Sequence, residues 1–316
     1  MKKPVIAVMW AAILANDMAD RLDERFEVIR LWKEKDPEAT LRERSSDIVG
    51  LASTHSIKVS RPMIEMLPNL EIISQFAVGT DNIDLQAAKE RGIAVTNTPD
   101  VLTDDTADTA LALILAVSRR ICEGDMYVRV GKWLNGNLPL GVTLKGKVAG
   151  IVGMGRIGQA IASRCEAFGM KIIYHGPRKK EGISYLFEPD LHKLAEIADY
   201  LILACPGGAE THHLVHAPIL EALGPQGYLI NISRGSVVHE EDLINALYNK
   251  TIAGAGLDVY EREPHVPEAL MKMDNVVLLP HIGSATVETR AIMSRLVIQN
   301  LLAHFNGDPL LTPVKV

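Results

Sequence analysis

Three side chains in the second half of the sequence are of types that move protons and hold anions. Arg234 stands in Asn231-Ile232-Ser233-Arg234-Gly235 and Glu263 in Asp258-Val259-Tyr260-Glu261-Arg262-Glu263-Pro264. His281 stands in Leu279-Pro280-His281-Ile282-Gly283-Ser284-Ala285-Thr286. Each comes just after a short apolar run that reads as a strand. In an open α/β sheet, ligands sit beyond the carboxyl ends of the strands, so the three could meet there. A guanidinium can clamp a carboxylate and polarise a keto oxygen. An imidazole can protonate a developing alkoxide. A carboxylate beside that imidazole favours its protonated form. Together these types suit hydride transfer to a 2-oxo acid. Taken singly each has a plainer reading: an arginine capping a turn, a surface carboxylate before a proline, a packed loop histidine.

A hydride needs a carrier, and Val148 to Gly158 reads VAGIVGMGRIG. An apolar run of small and β-branched residues ends in Gly153-Met154-Gly155-Arg156-Ile157-Gly158, and Gln159-Ala160-Ile161-Ala162 opens a helix. Strand, glycine turn and helix in that order are what the dinucleotide fingerprint requires. Gly153 permits the tight turn, Gly155 leaves room for a pyrophosphate, and Gly158 lets the helix pack on the strand. The helix N-terminus offers N–H groups and a positive dipole end to the phosphates. The plainer alternative is an ordinary strand-to-helix turn. In an NAD-binding fold a carboxylate follows the second strand and holds the ribose 2′-hydroxyl. Here that strand ends in Tyr174-His175-Gly176-Pro177-Arg178-Lys179-Lys180, with three cations and no carboxylate. A guanidinium grips a 2′-phosphate with paired hydrogen bonds. NADP(H) is therefore the preferred cofactor, held by Arg178 first and Lys179 second, and NAD(H) stays possible. The rival reading of these cations is a solvated loop. No metal ion is expected.

The elements that must position these residues follow from the rest of the chain. With 316 residues two domains are expected. Hydrophobic content of 47% and charged content of 23% are ordinary for a soluble globular protein, and a net charge of −6 speaks against nucleic-acid binding. Cys122, Cys165 and Cys205 are odd in number and widely spaced, which argues against a disulfide framework and fits a cytoplasmic setting. The apolar N-terminal stretch reads as a first strand and helix rather than a leader, and no stretch is long enough to span a bilayer. Strands are read at Pro4–Met9, Glu27–Leu31, Asp47–Ala52, Leu70–Phe76 and Ile93–Thr96. Helices are read at Ala11–Leu22, Arg61–Leu67 and Asp84–Arg91. Alternation of this kind means an α/β domain with a parallel sheet. Asn97-Thr98-Pro99-Asp100 breaks the pattern.

A long helix then begins at an acidic first turn, Thr103-Asp104-Asp105-Thr106. Its segment Ala110–Val117 is apolar all round and must be buried on every side, which predicts a subunit interface there. Burial within one chain is the alternative. From Val148 the β-α-β pattern resumes through Lys171–Tyr174, Asp199–Ala204, Tyr228–Ile232, Gly254–Val259 and Val276–Leu279. Ala285–Phe305 is the closing helix. The expected architecture is two Rossmann-like domains with parallel sheets. Residues 1–100 and 284–316 form a flavodoxin-like substrate domain, into which a nucleotide-binding domain, residues 101–283, is inserted.

These motifs closely resemble the D-isomer-specific 2-hydroxyacid dehydrogenase family along nearly the whole chain, from AVGTDNIDL through TNTPDVLTDDTAD, GMGRIG, NISRG, LDVYEREP and LPHIGSAT. Within it the likeness is greatest to NADPH-dependent glyoxylate/hydroxypyruvate reductases and plant-type hydroxyphenylpyruvate reductases. The resemblance implies that Arg234 binds substrate, His281 donates the proton and Glu263 is its partner. It implies that Asp258 holds the nicotinamide carboxamide, that Cys205-Pro206 borders the cofactor, and that Ile232, Ser233 and Gly283 lie near it. Val78 and Gly79 would offer N–H groups to the substrate carboxylate, and Leu51, Ala52 and Ser53 would line the pocket. A small 2-oxo or 2-hydroxy acid substrate and a homodimer are implied, with Trp133 the candidate to reach a neighbouring active site. Trp10 would narrow the pocket or sit in the core. The plant-type pattern has Ser-Arg-Ser directly after the second strand, whereas Gly176-Pro177-Arg178 puts the arginine one place later. Two alternatives stand beside reduction of small acids: an NAD-dependent D-hydroxyacid dehydrogenase, and a dinucleotide-sensing corepressor-like protein that acts by binding.

Overall fold

Two sets of parallel strands account for the framework. The computed structural model describes residues 3–14 and 18–315. The chain divides into one unit of Met1–Leu102 with Ser284–Val316 and a second of Thr103–Gly283.

In the first unit β1 (Val5–Val8), β2 (Glu27–Arg30), β3 (Ile48–Thr54), β4 (Ile72–Phe76) and β5 (Ala94–Thr96) form a sheet of order β2-β1-β3-β4-β5. Every pairing is parallel, with Leu51 opposite Ile73 and Ile73 opposite Val95. β1 and β4 are buried at every residue, as strands covered on both faces must be. The closing helix is Val287–Asn306. Thr286 caps it by accepting from the Thr289 N–H, and Gly307 ends it at φ +77°. Met293, Val297, Ile298 and Leu301 form its buried stripe. The helix expected over Ala11–Leu22 is not continuous. A 3₁₀ turn covers Ala11–Leu14, residues 15–17 lie outside the described residues, and a helix runs from Ala19 to Arg25. A helix over Pro37–Glu43 was not foreseen. Its signal is Asp36-Pro37, a capping carboxylate that accepts from the Ala39 N–H before a proline in the first turn.

In the second unit the strands are β6 (Val148–Val152), β7 (Lys171–His175), β8 (Leu186–Phe187), β9 (Tyr200–Leu203), β10 (Tyr228–Asn231), β11 (Gly254–Leu257) and β12 (Val276–Leu278). Their order is β12-β11-β10-β9-β6-β7-β8, again all parallel. Alternate residues feed two cores. Leu201, Leu203 and Leu229 enter one, while Tyr200, Ile202 and Ile230 enter the other. A parallel sheet brings all its carboxyl ends to one edge, and β6 is the strand from which the order runs both ways. That is the switch point where open α/β sheets bind ligands.

The helix Thr103–Arg119 packs against this sheet through Ala107, Ala110, Leu113, Ile114 and Val117. Within the chain it is not buried on every side, because Leu111 and Leu115 are half-buried and Ala112 is exposed. It breaks at Arg120, whose φ is +55°, and a helix Ile121–Arg129 with no buried residue follows.

Candidate active site

The glycine turn joins β6 to the helix Arg156–Ala167. Gly153 has φ +98°, and a Cβ there would lie 2.7 Å from the Cys205 backbone nitrogen. A Cβ on Gly158 would lie 2.0 Å from the Gly153 carbonyl oxygen. Helix, turn and the segment after β9 therefore close up as only hydrogen permits. At Gly155 a Cβ would meet nothing within 4 Å. The helix N-terminus faces open space there, which suits a pyrophosphate. Met154 is buried at 3% exposure, so its side chain is packing and only its backbone is available to a ligand. Arg156 is exposed and Ile157 half-buried.

The Gly153 N–H donates to the His175 carbonyl at 2.9 Å, which ties the turn to the end of β7. Gly176 is half-buried, and Pro177, Arg178 and Lys179 are exposed. Cys205 is buried and Pro206 exposed beyond β9. Burial pushes the Cys205 thiol up to about 11, so at neutral pH it is protonated and a poor nucleophile.

Beyond β10, Asn231 organises the turn that carries Arg234. Its side-chain oxygen accepts from the Ser233 N–H at 3.0 Å and the Ser233 hydroxyl at 2.9 Å. Its amide donates to the Arg234 carbonyl at 3.0 Å. Arg234 Nη1 donates to the Ser233 carbonyl at 2.8 Å, and Ile232 and Ser233 are buried. The turn packs against the segment beyond β11, where a Cβ on Gly235 would come within 1.9 Å of the Tyr260 carbonyl carbon.

That segment is wired to the loop beyond β12. His281 Nδ1 donates to Glu263 Oε2 at 2.7 Å, both side chains about a quarter exposed. The other carboxylate oxygen, Oε1, accepts from the Tyr260 N–H at 3.1 Å, and the Tyr260 hydroxyl donates to the Leu279 carbonyl at 2.9 Å. The bond on Nδ1 sets the ring so that Nε2 faces away from Glu263. Asp258 is 1% exposed. Its two oxygens accept from the Ile282 and Gly283 N–H groups, each at 2.7 Å. Burial holds its carboxyl above the usual range, and the two N–H groups pull against that.

Arg234, Glu263, His281 and Asp258 thus stand on one edge of one sheet, the edge that also carries the glycine turn. Asn231, Gly235 and Tyr260 were missed as positioning residues. Asn231 and Gly235 were visible in the NISRG string, but nothing local says what they touch.

In the first unit, Leu51, Ala52 and Ser53 are buried within β3. Val78 and Gly79 follow β4, with their carbonyls engaged. The Asn97 amide donates to the Val78 carbonyl at 2.8 Å and the Gln75 amide to the Gly79 carbonyl at 3.3 Å. Trp10 is not a core residue. It is 37% exposed, meets Phe76 edge-on at 5.7 Å, and shares the Arg290 guanidinium with that ring at 5.4 Å from each centroid. Trp133 is exposed.

A parallel sheet with a glycine turn at its switch point and an acid–imidazole pair on the same edge defines a nucleotide-dependent dehydrogenase. Residues 111–283 match the D-isomer specific 2-hydroxyacid dehydrogenase NAD binding domain. The chain is 48% identical over 309 residues to glyoxylate/hydroxypyruvate reductase A of Arabidopsis thaliana, covering 98% of this chain and 99% of that one. It is 47% identical over 309 residues to hydroxyphenylpyruvate reductase of Plectranthus scutellarioides, with the same coverage. Among solved structures, the NADPH-dependent glyoxylate/hydroxypyruvate reductase of Sinorhizobium meliloti, crystallised with NADP and malonate, superposes with a TM-score of 0.89. That protein is 44% identical, with 99% of this chain and 97% of that one covered. The chain belongs to the D-isomer specific 2-hydroxyacid dehydrogenase family. Among the described residues no helix is long and apolar enough to cross a membrane.

Proposed function

We propose that this protein reduces small 2-oxo acids with NADPH, glyoxylate to glycolate and hydroxypyruvate to D-glycerate. The 2.7 Å pair of His281 and Glu263 on the sheet edge that carries the glycine turn supports this reading most strongly. The names of the relatives agree with it. A nicotinamide cofactor supplies the hydride when bound, and the chain's own residues do the rest. The open face over Gly155 and the helix N-terminus receive the pyrophosphate. Arg234 takes the substrate carboxylate and polarises the keto oxygen. In the first unit, Val78 and Gly79 are the candidates to offer backbone N–H groups to a carboxylate, and Leu51, Ala52 and Ser53 the candidates to contact substrate. His281 delivers a proton from Nε2 to the oxygen that becomes the hydroxyl. Glu263 holds the ring by Nδ1, and Asp258 holds the backbone that carries it. Arg178, with Lys179, selects the 2′-phosphate.

The test is loss of nicotinamide absorbance with glyoxylate, hydroxypyruvate and 4-hydroxyphenylpyruvate, each with NADPH and with NADH. Fast turnover of the two small acids with NADPH is expected. In Arg178→Ala the KM for NADPH should rise while that for NADH stays. If NADH is preferred from the start, the basic loop is only a solvated face. Preference for the aromatic acid would move the assignment to hydroxyphenylpyruvate reduction, the reading favoured by the Plectranthus relative.

The reading includes a cytoplasmic homodimer. Its three cysteines are unpaired. Exposed apolar side chains gather at Met126, Val128, Val130, Trp133, Leu134 and Leu140, the last two more than nine-tenths exposed. Such a patch on a monomer marks a contact surface. A monomeric mass in sedimentation at micromolar concentration would remove this part of the reading.

A further inference from the structure

The second unit also gathers imidazoles around the segments that follow β9 and β11. The His212 and His213 rings are tilted at 35° with centroids 3.8 Å apart, and His239 meets His213 edge-on at 4.7 Å. His213 Nε2 lies 3.0 Å from Glu261 Oε1. One ligand atom from each of His212, His213 and Glu261 lies within 4.8 Å of the others. We propose that His212, His213 and Glu261 form a binding site for a borderline divalent transition cation, with Zn²⁺ the best fit.

The chemistry of the set selects that class. Two imidazoles and one carboxylate suit zinc and its neighbours, whereas magnesium and calcium take oxygen ligands. With Zn–N and Zn–O bonds of about 2.0–2.2 Å, ligand atoms in a tetrahedral site stand about 3.4 Å apart. The His213–Glu261 separation of 3.0 Å opens by a few tenths of an ångström to reach this, and His212, which is exposed and has a ligand atom within 4.8 Å of the other two, supplies the third corner by side-chain movement. The fourth position is left to water, as in open three-ligand sites.

The ligands sit on pinned backbone. The His213 N–H donates to the Ser236 carbonyl at 2.8 Å, and the Glu261 N–H donates to Glu240 Oε1 at 3.3 Å. The Thr211 hydroxyl donates to the Pro206 carbonyl at 2.7 Å, bracing the loop just before the two histidines. Glu240 and Asp242 add negative charge nearby, Asp242 Oδ2 standing 3.1 Å from His239 Nδ1. An ion here joins two segments that lie 48 residues apart in sequence. One carries Cys205-Pro206 and the other carries Asp258 and Glu263.

The experiment is equilibrium dialysis of the full chain against Zn²⁺ buffered by a chromophoric chelator. Wild type, His212→Asn, His213→Asn and His281→Ala are compared. Wild type and His281→Ala are expected to hold one equivalent of Zn²⁺ that both His212→Asn and His213→Asn lack. His212 is exposed, so its replacement keeps the fold. Equal binding by wild type and His212→Asn overturns the site. So does loss of the ion in His281→Ala alone, which would place the metal on the His281–Glu263 pair.

Discussion

Asp258→Asn changes no volume and yet should loosen the loop that carries His281. In the protein both carboxylate oxygens accept backbone N–H groups at 2.7 Å, from Ile282 and Gly283. The asparagine amide keeps one acceptor and turns the other into a donor that faces an N–H. One charge-assisted hydrogen bond is lost, about 1.5–3 kcal/mol, and two donors are left facing each other in a buried place, about 1–3 kcal/mol more. Burial already penalises the Asp258 charge, so removing it returns part of this. The two losses together come to about 2.5–6 kcal/mol; with part of that returned, a net weakening of about 2–4 kcal/mol is roughly 30- to 1,000-fold in the local opening equilibrium. Hydrogen exchange at the Ile282 and Gly283 amides reads that equilibrium directly, and their exchange should accelerate by this factor. Because His281 precedes these amides, a displacement of about an ångström should lower kcat/KM by about 10²-fold. Unchanged protection at both amides, with near-normal kcat/KM, would refute the claim that this carboxylate holds the catalytic loop in place.

Further expectations concern the same unit. His281→Ala should lower kcat by about 10²- to 10⁴-fold while cofactor binding by fluorescence is retained, and near-normal turnover would remove it as proton donor. Gly158→Ala puts a methyl 2.0 Å from a backbone oxygen. The turn must open, so the variant should lose about 1–3 kcal/mol or more in urea unfolding and lose NADPH affinity; wild-type affinity would count against a closed turn. Iodoacetamide followed by peptide mass spectrometry should label exposed Cys122 in the native protein. Cys165 and Cys205, with thiols pushed up to about 12 and about 11 by burial, should react only after denaturation. Labelling of Cys205 at the rate of Cys122 would show that the segment beyond β9 opens freely.

What the amino-acid sequence determined by itself is what short-range pattern can carry. Continuous apolar runs such as Val5–Val8 and Tyr200–Leu203 read as strands covered on both faces, and their alternation with helices points to parallel sheets. A glycine turn between strand and helix, and reactive side chains placed just after strands, are likewise local facts. The sequence also held the cap signal Asp36-Pro37, although a seven-residue helix there has little periodicity to reveal it.

Tertiary structure decided what depends on groups far apart in the chain. Asp258 reaches amides 24 and 25 residues on, and Glu261 meets His213 across 48. Gly235 is needed because the Tyr260 backbone occupies the place of its side chain. Within the chain Ala110–Val117 packs on the sheet and on the helix Arg156–Ala167 and leaves Ala112 exposed, and Trp10 stays partly in solvent beside Arg290. The physical reason is common to all of these. Backbone propensity and hydrophobic period act over a few residues, whereas a hydrogen bond, a close approach or a buried face is fixed only when packing chooses the neighbours.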